Sequence, residues 1–450
     1  MNRYFHALIF CSLVFLSIGR AQEAGEEARS VIKITPQTAK PSVMAMVPFD
    51  ETNAFFLNKR GQVGVAKFSP GLSLIGWEYY SELKWNAHPS LAVGPNYSVI
   101  MASTNEVTQA FDTDADVELD FFQALIKDWP GRDRGSIITA GPVADSHGRL
   151  LFAISAPSAI PAGEGEEAPV EKSHIVAWHP EADKLVTITE SQLPIGAFAV
   201  DRSGVLAARL VMPEYKGGFF ISLTELPPFD SDAPSAVPTS LPFTLPSLVI
   251  PAELTKNQEP TELAFFREHG RDKLALVCPG SRQLIEVVHS KIADVWQGSI
   301  LLRQILDQSI ESVVEMGPGL LLGGGEDGFI PLNGESSKFR ITNIELADDG
   351  IVLDFSDEVD RYEASRADNF LVQSVSLKGG ESNLNVVPMI ESDGRTIVLK
   401  TGTLSEGTVI RIQCQRLPSE SGATLLSNAA FYTIHRKPSP EEGKEKADPR

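Results

Sequence analysis

An acidic stretch between residues 112 and 120 gives the sharpest chemical signal in this sequence. Asp112, Asp114 and Asp116 stand at alternating positions, and Asp120 follows four residues later. Calcium is a hard cation that takes several carboxylate and carbonyl oxygens, which closely spaced aspartates supply. The spacing therefore predicts a calcium loop held by these four aspartates. The alternative is a solvated acidic turn that joins two repeats of the fold.

The histidines of the first half of the chain show no spacing typical of a ligand set. His174 and His179 flank one short apolar run, and in a strand a five-residue separation points them to opposite faces. His147 falls in a predicted hairpin turn, where we expect it to be exposed. His88, directly before Pro89, stands at the start of a repeat and could reach a central site. We interpret all four as structural.

Two further classes of chemistry lack their sequence signals. Ser136, Ser146 and Ser155 are not part of a Gly-x-Ser-x-Gly elbow, so hydrolase chemistry has no support. The glycine-rich residues 323–328 lack the Lys-Ser/Thr pair and the helix of a phosphate-binding loop.

The formal net charge is -20, from 39 basic and 59 acidic residues. Such a field repels a phosphate backbone and an anionic membrane surface, so we expect no nucleic-acid partner.

The elements that would position any site are repeated hairpins. Residues 141–155 read as an apolar run, a polar turn closed by Gly148 and a second apolar run, which predicts an antiparallel hairpin. Comparable pairs of runs start at Ser42, Pro89, Gly141, Gly196, Thr261 and Glu311. A third short strand follows most of them. Repeats of about 50 residues built from several short strands are typical of propeller blades, so the sequence predicts a six-bladed β-propeller.

Two segments of the predicted ring differ from this pattern. Residues 224–260 carry eight prolines, which argue against regular sheet and predict a long excursion over one face of the ring. Phe121–Trp129 is the one stretch whose pattern suggests a helix.

The pattern changes again near residue 338. Short alternating strands separated by Asp-Gly turns then predict about seven strands in about a hundred residues, as in an immunoglobulin-like or fibronectin-like β-sandwich. The predicted fold class is therefore all-β. The predicted organisation is a signal peptide at 1–21, a flexible lead-in at 22–33, the propeller at 34–335, the sandwich at 336–437 and a disordered tail at 438–450.

The first 21 residues have the features of an export signal. A basic start precedes a short apolar core, and Gly19-Arg20-Ala21 offers small residues for cleavage after Ala21. We therefore expect an exported protein, periplasmic or secreted, with no membrane span after cleavage. Cys278 and Cys414 lie in apolar strand-like runs and indicate buried thiols. A disulfide joining the two halves is the alternative.

With the repeats placed, the chain resembles bacterial exported proteins of the glucose/sorbosone dehydrogenase type, in particular long relatives in which a six-bladed propeller precedes a small sandwich. The resemblance rests on residues 141–148, 193–196, 310–325, 347–353 and 429–434. It implies a pyrroloquinoline quinone (PQQ) and calcium chemistry that oxidises sugars or related alcohols, with a histidine as base.

The same resemblance shows departures at the residues that would do this chemistry. Ser136 stands where the family has its histidine, and an isolated serine has no accessible pKa for a base. Ile195 stands at the asparagine of the family's Pro-Asn-Gly turn. Ala115 and Val117 replace glycines of its acidic loop, which weakens the calcium site.

Two functions follow from these observations. The first is an exported, non-catalytic propeller and sandwich that requires no cofactor and binds or scaffolds an unknown protein or small molecule. The alternative is a PQQ- and calcium-dependent sugar or alcohol oxidoreductase whose base has been rebuilt from another residue, such as His88. The side chains that line the central opening of the ring would distinguish the non-catalytic binding function from the oxidoreductase function.

Overall fold

The computed structural model describes residues 40–81, 90–94, 98–104, 106–113, 118–155, 172–179, 184–211, 218–226, 239–240, 246–279, 282–317, 319–325, 328–333, 338–376, 380–402 and 404–437. Most of these residues lie in strands, as predicted. The predicted signal peptide, lead-in and tail lie outside the described ranges. In the part of the chain that is described, no helix is long and apolar enough to cross a membrane.

Six consecutive sheets form the first part of the fold. The first sheet contains β1 (Ala45–Pro48), β2 (Asn53–Leu57), β3 (Val63–Phe68) and β4 (Leu74–Tyr79). The second contains β5 (Leu91–Val93), β6 (Val99–Ala102), β7 (Val107–Phe111) and β8 (Phe121–Ile126). The third contains β9 (Ile137–Ala144), β10 (Leu150–Ser155), β11 (Ser173–His179) and β12 (Lys184–Ser191). The third sheet has a fifth strand, β16 (Thr239–Ser240), which pairs in parallel with β12. The fourth sheet contains β13 (Ile195–Val200), β14 (Val205–Leu210), β15 (Gly218–Glu225) and β17 (Leu248–Pro251). The fifth contains β18 (Glu262–Glu268), β19 (Arg271–Cys278), β20 (Gln283–Ile292) and β21 (Val295–Ile305), and the sixth contains β22 (Ser312–Met316), β23 (Gly319–Gly323) and β24 (Phe329–Asn333).

These sheets are the six blades of a β-propeller. The first strand of each blade contacts the first strand of the next, in the closed cycle β1, β5, β9, β13, β18, β22 and back to β1. Val43, just before β1, closes the ring because its N–H donates to the carbonyl of Gly325 at 2.7 Å and its own carbonyl accepts from the N–H of Gly325 at 3.1 Å. The six hairpins predicted from the sequence are the first two strands of the six blades.

Burial on both faces explains why the blades form a ring. Every residue of β10 and of β14 is buried, so each strand presents apolar side chains to a neighbouring blade on either side. Clusters of buried apolar residues fill the gaps between successive blades, and the largest of them continues through the third, fourth and fifth blades. A flat sheet could not cover both faces of its end members, whereas a closed ring covers all of them.

The structure corrects two predictions within the ring. The stretch predicted as a helix at Phe121–Trp129 begins with β8, whose alternating exposure matches the period of a strand. The proline-rich residues 224–260 include regular sheet, since Leu248–Pro251 is the outer strand of the fourth blade and pairs with β15. Proline is compatible with this position because Pro251 ends an edge strand. A one-turn helix, α1 (Ala252–Thr255), follows it.

The second part of the fold is the predicted β-sandwich. One sheet has the order β25 (Ile341–Ala347), β26 (Gly350–Phe355), β30 (Thr396–Lys400) and β29 (Val387–Ile390); the other has the order β32 (Ala429–Ile434), β31 (Thr408–Cys414), β27 (Phe370–Ser376) and β28 (Glu381–Leu384). A single apolar cluster fills the space between the two sheets. Sequence patterning did not find β28 and β29, whose residues are mostly exposed or half-buried.

The sandwich and the propeller share one continuous sheet. The outer strand of the fifth blade, β21, pairs with β32, so that Gly298, Ser299 and Ile300 face Thr433, Tyr432 and Phe431. A second contact comes from the fourth blade, where the N–H of Val249 donates to Oγ1 of Thr433 at 3.1 Å. The backbone pairing fixes the sandwich against the ring.

A buried network of charges lies where the fifth blade meets the segment that leads into the sandwich. Glu286 is fully buried and accepts hydrogen bonds from Lys273 at 2.8 Å and from Arg303. Glu268 accepts from the same two cations, at 2.8 and 2.7 Å. Arg340, also buried, has its Nη1 3.8 Å from the carboxylate of Glu286. Burial alone would raise the pKa of Glu268, but the hydrogen bonds from Arg303 and Lys273 outweigh it and lower this pKa to about 2.

Glu286→Gln should lower the free energy of unfolding by about 3–5 kcal/mol, because it leaves buried cations without their shared carboxylate. The matched control is Glu225→Gln, which removes an exposed partner of Lys291 and should cost about 1 kcal/mol or less. Urea denaturation followed by circular dichroism measures both values. Equal effects of the two substitutions would show that the buried network does not stabilise the fold.

Candidate functional site

The ring encloses a cavity of about 830 Å³. Residues from the first strands of all six blades line it, so it lies on the axis of the propeller. Its volume falls in the range of small-molecule binding sites. We call it the axial cavity.

The wall of the axial cavity is mainly backbone and small or apolar side chains. Its larger apolar members include Met46, Leu91, Phe198, Leu263 and Phe265. The charged residues in the described lining are Arg202, Arg209, Glu262 and Glu315, and no histidine is among the described residues of the wall. The chemistry of the cavity therefore depends on two arginines and two glutamates.

Arg209 reaches the cavity from the second strand of its blade because a glycine stands in front of it. A Cβ built on Gly196, in the first strand, would lie 1.8 Å from Nη2 and 2.4 Å from Cζ of Arg209. The guanidinium thus lies across the backbone of Gly196. Any larger residue there would displace it.

The Arg209 guanidinium is nearly buried and only partly hydrogen-bonded. Nη1 donates to Oε2 of Glu259 at 3.2 Å, and the Arg209 side chain is only 7% exposed. Nε is buried and has no hydrogen-bond partner among the described residues. Burial lowers the pKa of Arg209 and the neighbouring Glu259 acts in the opposite direction, so the group keeps its charge.

Glu262 is the second ionisable group at this end of the cavity. It is the first residue of β18, and its Oε2 accepts from the N–H of Val313 in the next blade at 3.1 Å. Burial raises the pKa of Glu262 well above its usual value, and this single hydrogen bond only partly offsets the effect. Its carboxyl group therefore stays protonated at a higher pH than an ordinary glutamate.

The other two charged residues pair with each other near the ends of their strands. Nη2 of Arg202, in the turn after β13, donates to Oε2 of Glu315 in β22 at 2.8 Å. The second oxygen of Glu315 accepts from the N–H of Arg267 at 2.9 Å. These contacts join the fourth, fifth and sixth blades at the end of the cavity opposite to Glu262.

The acidic stretch predicted to bind calcium lies away from this cavity. Asp112 and Asp120 flank the turn between β7 and β8, so the stretch joins two strands of one blade and does not connect two blades. Oδ1 and Oδ2 of Asp120 accept hydrogen bonds from Thr113, which lower the pKa of Asp120. Asp114 and Asp116 lie outside the described residues, so calcium binding here stays a prediction. Elsewhere in the described chain, no group of three or more His, Cys, Asp or Glu side chains is placed to hold a metal.

Other residues singled out in the sequence have structural surroundings. Ser136 is buried, and its carbonyl accepts from Nε1 of Trp129 at 2.9 Å. His147 is exposed in the β9–β10 turn, as predicted. His174 and His179 lie near opposite ends of β11, and His88 lies outside the described residues. None of the described ones lines the axial cavity.

The two cysteines of the described chain are buried, as the apolar runs predicted. Cys278 lies in β19 and Cys414 in β31, and they do not form the alternative disulfide. Burial raises the pKa of Cys414 to about 12, so its reactive thiolate form is suppressed.

Sequence reasoning missed the two groups that give the cavity its chemistry. Arg209 is the one charged residue of β14, and Glu262 begins a strand that continues with apolar residues. A charge inside an otherwise apolar strand was the available signal. It does not by itself show that the side chain faces the axis.

Comparison with known proteins places the chain among structures with related folds. No protein-family model matches it. No curated protein matches its sequence. Similar solved structures include a luciferin-regenerating enzyme (15% identity, 64% of this chain and 85% of that one, TM-score 0.41). The PQQ domain of a pyranose dehydrogenase from Coprinopsis cinerea is similar at 9% identity (66% and 93% covered, TM-score 0.40). A putative oxidoreductase of glucose dehydrogenase type from Thermus thermophilus is similar at 14% identity (64% and 93% covered, TM-score 0.40). At these values the similarity carries no argument about activity.

The described wall does not fit PQQ, the cofactor implied by the sequence resemblance. This quinone carries three carboxylates, and its pocket needs several cations to balance them. The described wall offers Arg202 and Arg209, each already paired with a carboxylate, and Glu262 has no cation partner. The described residues therefore lack the positive charge that the cofactor requires.

Glu262→Gln should change how stability depends on pH. Because the folded-state pKa of Glu262 is raised, the wild type is stabilised by this group below the ordinary value of 4.5 and loses that contribution as pH rises toward the raised pKa. The glutamine variant should be at least as stable as the wild type near pH 8 and should show a flatter profile from pH 5 to pH 8. Chemical denaturation at several pH values measures the two profiles, and parallel profiles would contradict the assignment.

Proposed function

We propose that this chain is an exported, non-catalytic member of the glucose/sorbosone dehydrogenase-like propellers that acts as a binding module through its axial cavity. The observation that carries the proposal is the composition of the described wall, in which apolar residues predominate and both arginines are paired. A wall of this kind holds a ligand by burial and a few polar contacts.

The position of Ser136 supports the non-catalytic role. An alcohol oxidase needs a base that reaches the substrate with a suitable pKa. Ser136, which stands at the histidine of the resembling family, is buried behind Trp129 and does not line the axial cavity. Nothing in its described surroundings would activate its hydroxyl group.

One observation favours the alternative, an oxidoreductase with a rebuilt base. The carboxyl group of Glu262 lines the cavity with a raised pKa, which is a property of many general bases. An enzyme that used Glu262 would still need a cofactor, and the described wall does not fit PQQ. The alternative therefore depends on residues outside the described ranges, including His88.

Thermal melts and dye reduction separate the two functions. We expect no rise in melting temperature with PQQ plus calcium and no reduction of an electron-acceptor dye with sugars or alcohols. A ligand that binds only the folded state raises the melting temperature, so binding would be visible. A melting shift with PQQ accompanied by dye reduction that Glu262→Gln abolishes would overturn the non-catalytic proposal.

Calcium alone is a separate arm of the same experiment. A shift with calcium that is reversed by EDTA and lost in Asp112→Asn would support a structural ion site in the β7–β8 turn. The matched control is Asp294→Asn, in the corresponding turn between the third and fourth strands of the fifth blade, where the aspartate side chain is 96% exposed. A calcium shift that survives Asp112→Asn would place the ion elsewhere.

A further inference from the structure

The sixth blade ends in an edge strand within the described chain. In each of the first five blades, the third strand pairs with a fourth strand on its outer side. The described part of the sixth sheet has three strands, and β24 is its outer edge. The unpaired N–H and C=O groups of an edge strand are a template for a further strand.

The burial of β24 differs from that of other third strands. β3 and β7, the third strands of the first two blades, are buried at almost every residue. In β24, by contrast, Phe329, Ile330 and Leu332 are half-buried and Pro331 is exposed. All four are apolar, so a strand beside β24 would remove part of their surface from water.

The first blade presents exposed apolar side chains toward the same place. Trp77 of β4 is buried in the apolar cluster between the first and sixth blades. Phe329 packs against that cluster, with its ring centroid 5.3 Å from that of Phe56. Ile75 and Tyr79 lie two residues to either side of Trp77 and therefore share its face of β4, yet they are 51% and 36% exposed. A fourth strand of the sixth blade would cover them.

The described chain begins beside this edge. A Cβ built on Gly328, which directly precedes β24, would lie 3.3 Å from Cβ of Lys40 and 3.4 Å from Cδ of Pro41. Val43 then pairs with Gly325 and leads into β1. Because Lys40 lies at the start of β24, a preceding segment that followed β24 toward its end would run antiparallel to it. β23 and β24 pair in the same antiparallel way.

The sequence before Lys40 contains a segment suited to this edge. Residues 31–35 read Val-Ile-Lys-Ile-Thr, and four of these five residues are β-branched. Such residues favour strands. The segment has the same length as β24, which has five residues. Pro36 follows it and ends the pattern, since proline has no N–H to donate to a sheet.

We propose that residues 31–35 add to β24 as the fourth strand of the sixth blade, so that one sheet joins the beginning and the end of the propeller. Ile32 and Ile34 share one face of this strand and cover Ile75 and Tyr79 of the first blade. The propeller then starts near residue 31, within the segment predicted as a flexible lead-in. This inference does not depend on the proposed function.

Hydrogen–deuterium exchange of the full chain, read by mass spectrometry, tests the pairing. Residues 31–35 and β24 should both be protected, and residues 31–35 should exchange at least about tenfold more slowly than residues 23–28. Equally fast exchange of the two N-terminal segments would overturn the proposal. Protection of β24 without protection of residues 31–35 would also overturn it, because a second copy or another partner would then cover the edge.

Two serine substitutions test which face of the segment is buried. Ile34→Ser should lower the melting temperature by several degrees and speed the exchange of β24, because it replaces a buried apolar side chain with a hydroxyl group. The matched control is Lys33→Ser, on the opposite face, which should change both values much less. Wild-type exchange still tests the pairing if Ile34→Ser does not fold. Equal effects of the two substitutions, or no effect of either, would contradict the proposed strand.

Discussion

The need to bury both faces of every blade is the constraint on which this structure depends. Strands such as β10 and β14 have no exposed face, so each blade requires a neighbour on both sides. Six blades satisfy this requirement only when the last meets the first, which the pair of hydrogen bonds between Val43 and Gly325 secures. Closure also creates the axial cavity, because six first strands cannot all meet at one line.

Charge inside such a ring must be paired or neutral, and the structure shows both solutions. Within the fifth blade, Glu286 and Glu268 share Lys273 and Arg303 in a network with little access to water. In the axial cavity, Glu262 has no cation partner among the described residues, and burial favours its protonated form. Arg209 keeps its charge beside Glu259. The described wall of the cavity is thus mainly apolar, with a few paired or neutral charged groups.

Much of the fold could be predicted from the sequence, because local patterns determine it. The hairpin at residues 141–155 contains its own turn, whose glycine, Gly148, takes a positive φ of 73°. The same kind of signal occurs in each blade, which is why both the repeat and the number of blades were predictable. The strand β29 was not predictable from the sequence, because its burial depends on packing in the sandwich. The strand Leu248–Pro251 was not predictable because it lies among prolines, which an edge strand tolerates.

The candidate site was less predictable than the fold. Arg209 reaches the axis only because Gly196 lies in front of it, and this relation joins two strands whose register the sequence does not state. Glu262 depends in the same way on the neighbouring blade, through Val313. The aspartates at 112–120 gave a clear local signal, but the described ones flank a turn within the second blade, away from the axis. Local pattern therefore identified the acidic turn and missed the cavity.

The most direct test is a thermal melt of the protein with PQQ plus calcium, measured together with the reduction of an electron-acceptor dye by sugars and alcohols. The account predicts no rise in melting temperature and no dye reduction, because the described wall of the axial cavity lacks the positive charge that PQQ requires. A rise in melting temperature with PQQ accompanied by dye reduction would contradict it.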